Sequence, residues 1–183
     1  LLQARDGKEV ELKGGENTEL TEDGSMLKAK VNGHAVMEGG LISVKPGYGV
    51  SGDVGPKTGH ITNMGSGIVT GKVLDGYDIK AGGNIDVKGT VGNCVLEATG
   101  DISIKLGVTG RNEGRLIAQG NIAAKYFEQV HVQAGGDVES TEELMNCTVQ
   151  AGGNVRVFGK KAIIRGGLVR ALQDVKARSI GSP

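Results

Sequence analysis

The sequence predicts an all-β protein, a right-handed parallel β-helix preceded by a small antiparallel β-hairpin region. Three observations carry this. Glycine supplies 33 of 183 residues while aromatic residues make up 3% and tryptophan is absent, which argues against a compact core of large aromatic side chains. A phrase, Ala-Gly-Gly-Asn-Ile from Ala81, returns along the chain as Ala-Thr-Gly-Asp-Ile and close variants. Ahead of the repeat stand Asp-Gly and Asn-Gly, the residue pairs of two-residue hairpin turns.

Residues 1–57 are expected to form an antiparallel β meander that caps the solenoid. Asp23-Gly24 and Asn32-Gly33 supply the turns, and Leu27, Ala29 and Val31 alternate with polar neighbours as strand residues do. The stretch "SVKPGYGVSGDVGPKTG", with Pro46, Pro56 and several glycines, reads as the joint to the solenoid. A cap has a physical purpose, because the first coil of a solenoid otherwise exposes apolar rungs and an open strand edge.

Residues 58–183 are expected to form a parallel β-helix of about six coils. Aligning Ala81, Ala98, Ala118, Ala134, Ala151 and Ala171 gives spacings of 17, 20, 16, 17 and 20 residues. Two residues before these anchors stand Ile79, Leu96, Leu116, Val132, Val149 and Val169. Four residues after them stand Ile85, Ile102, Ile122, Val138, Val155 and Val175. This is period-two alternation broken by a fixed corner, which suits short strands and leaves no room for helices. A strict six-residue repeat, the mark of left-handed acyltransferase helices, does not fit spacings that slip to 20. The longer coils hold their extra residues in "KLGVTGRNEGRL" and "FGKKAIIRGGLV", insertions expected to share one face.

The corner column is Asn84, Asp101, Asn121, Asp137, Asn154 and Asp174, preceded in five of six cases by Gly83, Gly100, Gly120, Gly136 or Gly153. Glycine is expected there for an unusual backbone angle, and Asn and Asp for their tolerance of turns. Stacked one strand spacing apart, about 4.8 Å, their side chains can bond along the column as a structural ladder. Cys94 and Cys147 both stand four residues before an anchor, three rungs apart. Three rungs span about 14 Å, beyond the roughly 7 Å reach of a disulfide, so both thiols are expected to be free and buried.

Acidic and basic residues balance at 21 each, so no global charge recruits nucleic acid or membrane. No apolar run reaches membrane-spanning length, residues 1–12 lack the regions of a secretory signal, and two cysteines without a CxxC fit a reducing compartment, so a cytoplasmic location is expected. The start without Met and the uncapped finish "ARSIGSP" suggest a piece of a longer chain.

The chemistry-bearing residues assemble no catalytic pattern. His34, His60 and His131 are scattered, with no HxxxH or HExxH spacing for zinc, and His60 takes a corner slot of the kind Asn or Asp fills elsewhere. "GSGIVTG" lacks the Gly-Lys-Ser/Thr of a phosphate loop. Asp137, Glu139, Glu142 and Glu143 form an acidic cluster of the kind polysaccharide-active β-helices use, but without an aromatic sugar platform it reads as a solvated edge. No catalytic residue, metal or cofactor is expected. From Ala151 onward seven basic residues, Arg156, Lys160, Lys161, Arg165, Arg170, Lys176 and Arg178, face Asp174 alone. Arg156, Lys160, Lys161, Arg165 and Arg170 are the candidate docking residues for an acidic protein partner. With only Phe158 nearby for base stacking, nucleic acid is disfavoured.

"GKVLDGYDIKAGGNIDVKGTV", the Ala-Gly-Gly-Asp/Asn corners, "KKAIIRGGLVRA" and "ARSIGSP" resemble the β-solenoid domain of the bacterial flagellar assembly protein A family, and the likeness extends to "NGHAVMEGGLISV" and "TGHI". The departures are His60 where the family usually has Asn, Ala162 where Gly is common, and "ALQDV" in place of the last Gly-Asp corner. The family's own N-terminal region and helical C-terminal region have no counterpart in this sequence. The resemblance implies a non-enzymatic cytoplasmic scaffold in flagellar assembly that docks flagellar, polar or regulatory proteins, with no catalytic residues to carry over. Similar corners occur in the cell-division inhibitor MinC and in the polymer-forming bactofilins, so a self-associating scaffold is the second reading. A polysaccharide-active enzyme is the third.

Overall fold

A computed structural model describes residues 12–31, 33–45 and 47–181, all of them in strands, turns or irregular segments and none in a helix. The chain divides into two compact units, Leu1–Pro46 and Gly47–Pro183.

In the first unit, β1 (Thr18–Leu20) pairs antiparallel with β2 (Leu27–Ala29). The Asp23-Gly24 turn joins them, with Gly24 at φ 70°. Hydrogen bonds from the Thr21 and Ser25 side chains and from the Ser25 N–H hold the Asp23 carboxyl down to about 2. A second hairpin, β3 (His34–Glu38) and β4 (Leu41–Lys45), turns on Gly39 and Gly40 at φ 60° and 81°. Paired positive angles are what a type I′ turn demands, and two glycines meet that demand without steric cost.

These are two separate sheets, not one continuous meander, since β2 and β3 do not pair. The turn between the paired strands β3 and β4 falls at "EGGL". Residues 1–11, Asn32 and Pro46, on which the absent secretory signal, one turn and part of the joint were read, lie outside the described residues.

The second unit is a parallel β-solenoid of about 7 turns. Its first face stacks 48–50, 67–69, 85–87, 102–104, 122–124, 138–140, 155–157 and 175–176. The second face begins as single bridges, Val54 to Val73 to Val91 to Val108, and widens into strands at 107–109, 126–128, 143–145, 163–165 and 179–180. The third face stacks 61–63, 79–81, 95–98, 115–118, 131–134, 148–151 and 168–171. Parallel stacking already includes Tyr48–Val50 and Val54, ahead of the boundary expected between 57 and 58. Strands this short, set among glycines and prolines, carry no periodic signal of their own.

The core follows from the columns. Ten of the twelve aliphatics flanking the alanine anchors are buried, and the exceptions, Val169 and Val175, sit in the last two described coils. Val54, Val73, Val91, Val108, Phe127, Leu144 and Ile164 line the second face inward. Phe127 is fully buried, and in its own coil the first-face column narrows to Ala124, which makes room for the ring. Ser140 follows Ala124 in that column, and its hydroxyl donates to the Lys125 and Glu143 carbonyls at 3.0 and 3.1 Å, so no buried polar group is left unpaired there. In the last described coil, inward-column Val175 and Ile180 are 39% and 64% exposed.

Candidate functional site

Three edges separate the three faces, and the polar side chains concentrate on them. The edge between the third and first faces carries Asn84, Asp101, Asn121, Asp137, Asn154 and Asp174. Each rung's backbone N–H donates to the side chain one rung earlier: Asp101 to Asn84 Oδ1 at 2.9 Å, Asn121 to Asp101 Oδ1 at 2.6 Å, Asp137 to Asn121 Oδ1 at 2.8 Å, Asn154 to Asp137 Oδ1 at 2.7 Å and Asp174 to Asn154 Oδ1 at 3.3 Å. The amides of Asn121 and Asn154 donate down the same column, to Asp101 and Asp137. Alternating Asn with Asp keeps two carboxylates from standing on adjacent rungs, where like charges destabilise a sheet.

The glycine before each ladder residue has a different cause from the one its turn chemistry suggests. Gly83, Gly100, Gly120, Gly136 and Gly153 do not adopt positive φ. A Cβ at Gly100, Gly120, Gly136 or Gly153 would instead collide with the Oδ1 of the ladder residue one rung earlier. Glycine vacates the space the acceptor occupies. In the last coil Gln173 stands in that slot and its Oε1 accepts from the Asn154 amide at 3.0 Å, so the departure is absorbed by a hydrogen bond.

Three of the four acids in the cluster, Asp137, Glu139 and Glu142, are paired with neighbouring cations. Arg156 Nη1 donates to Asp137 Oδ2 at 2.7 Å and to Glu139 Oε1 at 3.2 Å, and Lys125 pairs with Glu142 at 3.3 Å. Hydrogen bonds from Asn154, with Arg156 adding its charge, hold the Asp137 carboxyl below the usual carboxylate range.

The five docking candidates are wound apart by the coil. Arg156 lies on the first face, Lys160 and Lys161 on the edge between first and second faces, Arg165 on the second face and Arg170 on the third. Only Lys160 and Lys161 remain together, joined by Arg178, whose Nη1 donates to the Lys160 carbonyl at 3.2 Å. The two insertions also part company. Gly110–Gly114, with Arg111 and Asn112 at φ 47° and 67°, fills the edge between second and third faces, while Gly159–Ala162 fills the edge between first and second.

The edge between first and second faces holds a column absent from the sequence expectations. Lys88, Lys105 and Lys125 each follow the last in-register residue of a first-face strand, Val87, Ile104 and Ala124. They therefore lie on three successive rungs about 4.8 Å apart, at the point where the register between the second and third breaks. Extending the alignment to seven residues past each alanine anchor shows them, followed by Thr141 and Phe158. Lys88 contacts Asp86, Lys125 reaches Glu142, and Lys105 makes no hydrogen bond or ion pair among the described residues. Like charges brought this close weaken a sheet, and the acids paired with Lys88 and Lys125 leave Lys105 uncompensated.

His60 and His131 make separate contacts. His60 Nδ1 accepts the Asp78 N–H at 3.1 Å, and Asp78 Oδ1 accepts the Val95 N–H at 2.8 Å, so His60 serves as a corner residue. His131 Nε2 meets the Asn112 carbonyl at 3.1 Å. Cys94 and Cys147 are free and buried. Burial, with the charges of Asp78 and Asp75, pushes the Cys94 thiol up to about 12, and burial raises that of Cys147. Among the described residues no group of three or more His, Cys, Asp and Glu is arranged to hold a metal, and no helix is long and apolar enough to cross a membrane.

Fold and edges define a structural parallel β-solenoid. The chain belongs to the flagellar assembly protein A family: the family's β-solenoid domain matches residues 46–183. No curated protein and no solved structure matches the chain.

Proposed function

We propose that the chain is a non-enzymatic scaffold acting in bacterial flagellar assembly from the cytoplasm, by docking protein partners of the flagellar, polar or regulatory machinery. The family match over residues 46–183 carries this reading. The side chains agree with it. Of the acids a polysaccharide-active site would use, Asp137, Glu139 and Glu142 are tied to Arg156 and Lys125, and burial raises the pKa of both thiols, which favours the unreactive protonated form. Basic side chains outnumber acidic ones on the edge between first and second faces, which suits a docking surface.

The test is to delete the parent gene in its native bacterium, restore it in a control strain, and count flagella per cell by electron microscopy. Lost or misplaced flagella that return on restoration support the reading. Normal numbers and positions reject it.

A further inference from the structure

We infer that the edge between first and second faces docks an acidic α-helix of a partner protein, laid parallel to the solenoid axis with about one carboxylate per helical turn. This rests on the docking reading above and names its surface and its partner's chemistry. Lys88, Lys105 and Lys125 form the central run, and Lys160 and Lys161 two coils further on, with Arg178 in the coil after, continue it. Counting Lys72, seven cations on this edge stand against Asp53, Asp86 and Glu142. The whole chain has a formal net charge of zero, so this is segregation within a neutral molecule, not a general excess.

The spacing selects a helix. Rungs repeat at about 4.8 Å and an α-helix at about 5.4 Å per turn. Across three lysines the mismatch is about 1 Å, well within the reach of a flexible four-carbon side chain. The charges lie on a line, which fits a rod better than the plane of a membrane. Apolar side chains interrupt the line. An extra residue between Ile104 and Gly107 bulges the strand, and Leu106 there is 40% exposed. Phe158, 47% exposed, takes the lysine position two coils after Lys125. Amphipathic helices bring apolar residues to such positions, whereas a phosphodiester backbone has none to offer.

The test uses the full chain and a fluorescein-labelled, alanine-based helical peptide of about 20 residues, with glutamates in one stripe beside a leucine stripe. A scrambled peptide of equal composition, phosphatidylglycerol vesicles and a single-stranded oligonucleotide are the comparison ligands. Binding is read by anisotropy, or by sedimentation for vesicles, for the parent chain, K88E/K105E/K125E, and the third-face control K80E/R115E/R170E, with circular dichroism verifying the fold. K88Q/K105Q/K125Q replaces the reversed triple if that variant misfolds. The striped peptide should bind the parent chain, about tenfold more weakly to the lysine-edge triple, and within about twofold to the third-face control. Salt should weaken it throughout. Equal loss in both triples, equal binding of the scrambled peptide, preference for vesicles or oligonucleotide, or no binding at low salt would each overturn the inference. Normal flagella in the deletion strain with striped-peptide binding intact would remove the flagellar role and leave the surface standing; the converse result would remove the surface alone.

Discussion

Two edges of the solenoid repeat with the same rung spacing and use their polar groups in opposite ways. On the Asn/Asp edge, side-chain oxygens from Asn84 to Asn154 accept the next rung's N–H, and glycines clear the space they need. On the lysine edge, Lys105 meets no partner among the described residues and its neighbours meet only local carboxylates. One edge turns its polarity inward to hold coils together; the other presents it outward. A repeat is therefore not evidence of one role, because the same spacing orders an internal ladder on one edge and outward-facing charge on another.

The largest effect that would sharpen this contrast comes from filling the vacated space. Gly136→Val would drive a branched side chain into Asn121 Oδ1 and is expected to lower unfolding stability by about 3 kcal/mol in urea titration. A loss below about 0.5 kcal/mol would show that the ladder moves aside freely. Next, Asn121→Ala removes the acceptor of the Asp137 N–H and a donor to Asp101, with an expected cost of about 1 kcal/mol, while Lys105→Ala should stay within about 0.5 kcal/mol of the parent. Equal costs would erase the distinction between the edges.

A pH titration probes the same edge with a smaller effect. The folded Asp137 pKa lies below its unfolded value, so its ladder bonds stabilise the fold fully above that unfolded value of about 3.9. The contribution fades as pH falls through the lower folded pKa. The urea midpoint should thus decline below about pH 4, and less steeply in Asp137→Asn. An identical slope in the variant would remove Asp137 from the acid response. The smallest expected signal is chemical. Cys94 and Cys147 should resist a thiol reagent at pH 8 in the folded chain and react on unfolding, as burial dictates. Rapid labelling of the folded chain would show coils opening where the core is closed.

The solenoid was legible because its columns are written in residue type: branched aliphatics at fixed offsets and an Asn/Asp corner survive single-sequence reading. The second face was harder to read, since in the early coils it rests on single valines such as Val54 and Val73 among glycines. The hairpin within "NGHAVMEGGLISV" is legible through the family resemblance, while the pair whose angles close it, Gly39 and Gly40, is a weaker turn signal by residue type than Asp-Gly or Asn-Gly. Charge misled most. Arg156, Arg165 and Arg170 are near in sequence but wind onto three different faces, whereas Lys88, Lys105 and Lys125 are distant in sequence and stand together. In a solenoid, neighbourhood is measured one coil apart.

The most direct measurement is rescue of flagella in the deletion strain by the parent gene carrying K88E/K105E/K125E, expressed at the level of the unaltered gene. The expected result is a folded, abundant protein that leaves flagella missing or misplaced, while K80E/R115E/R170E restores them. Full rescue by the lysine-edge variant would contradict the claim that this edge carries the function.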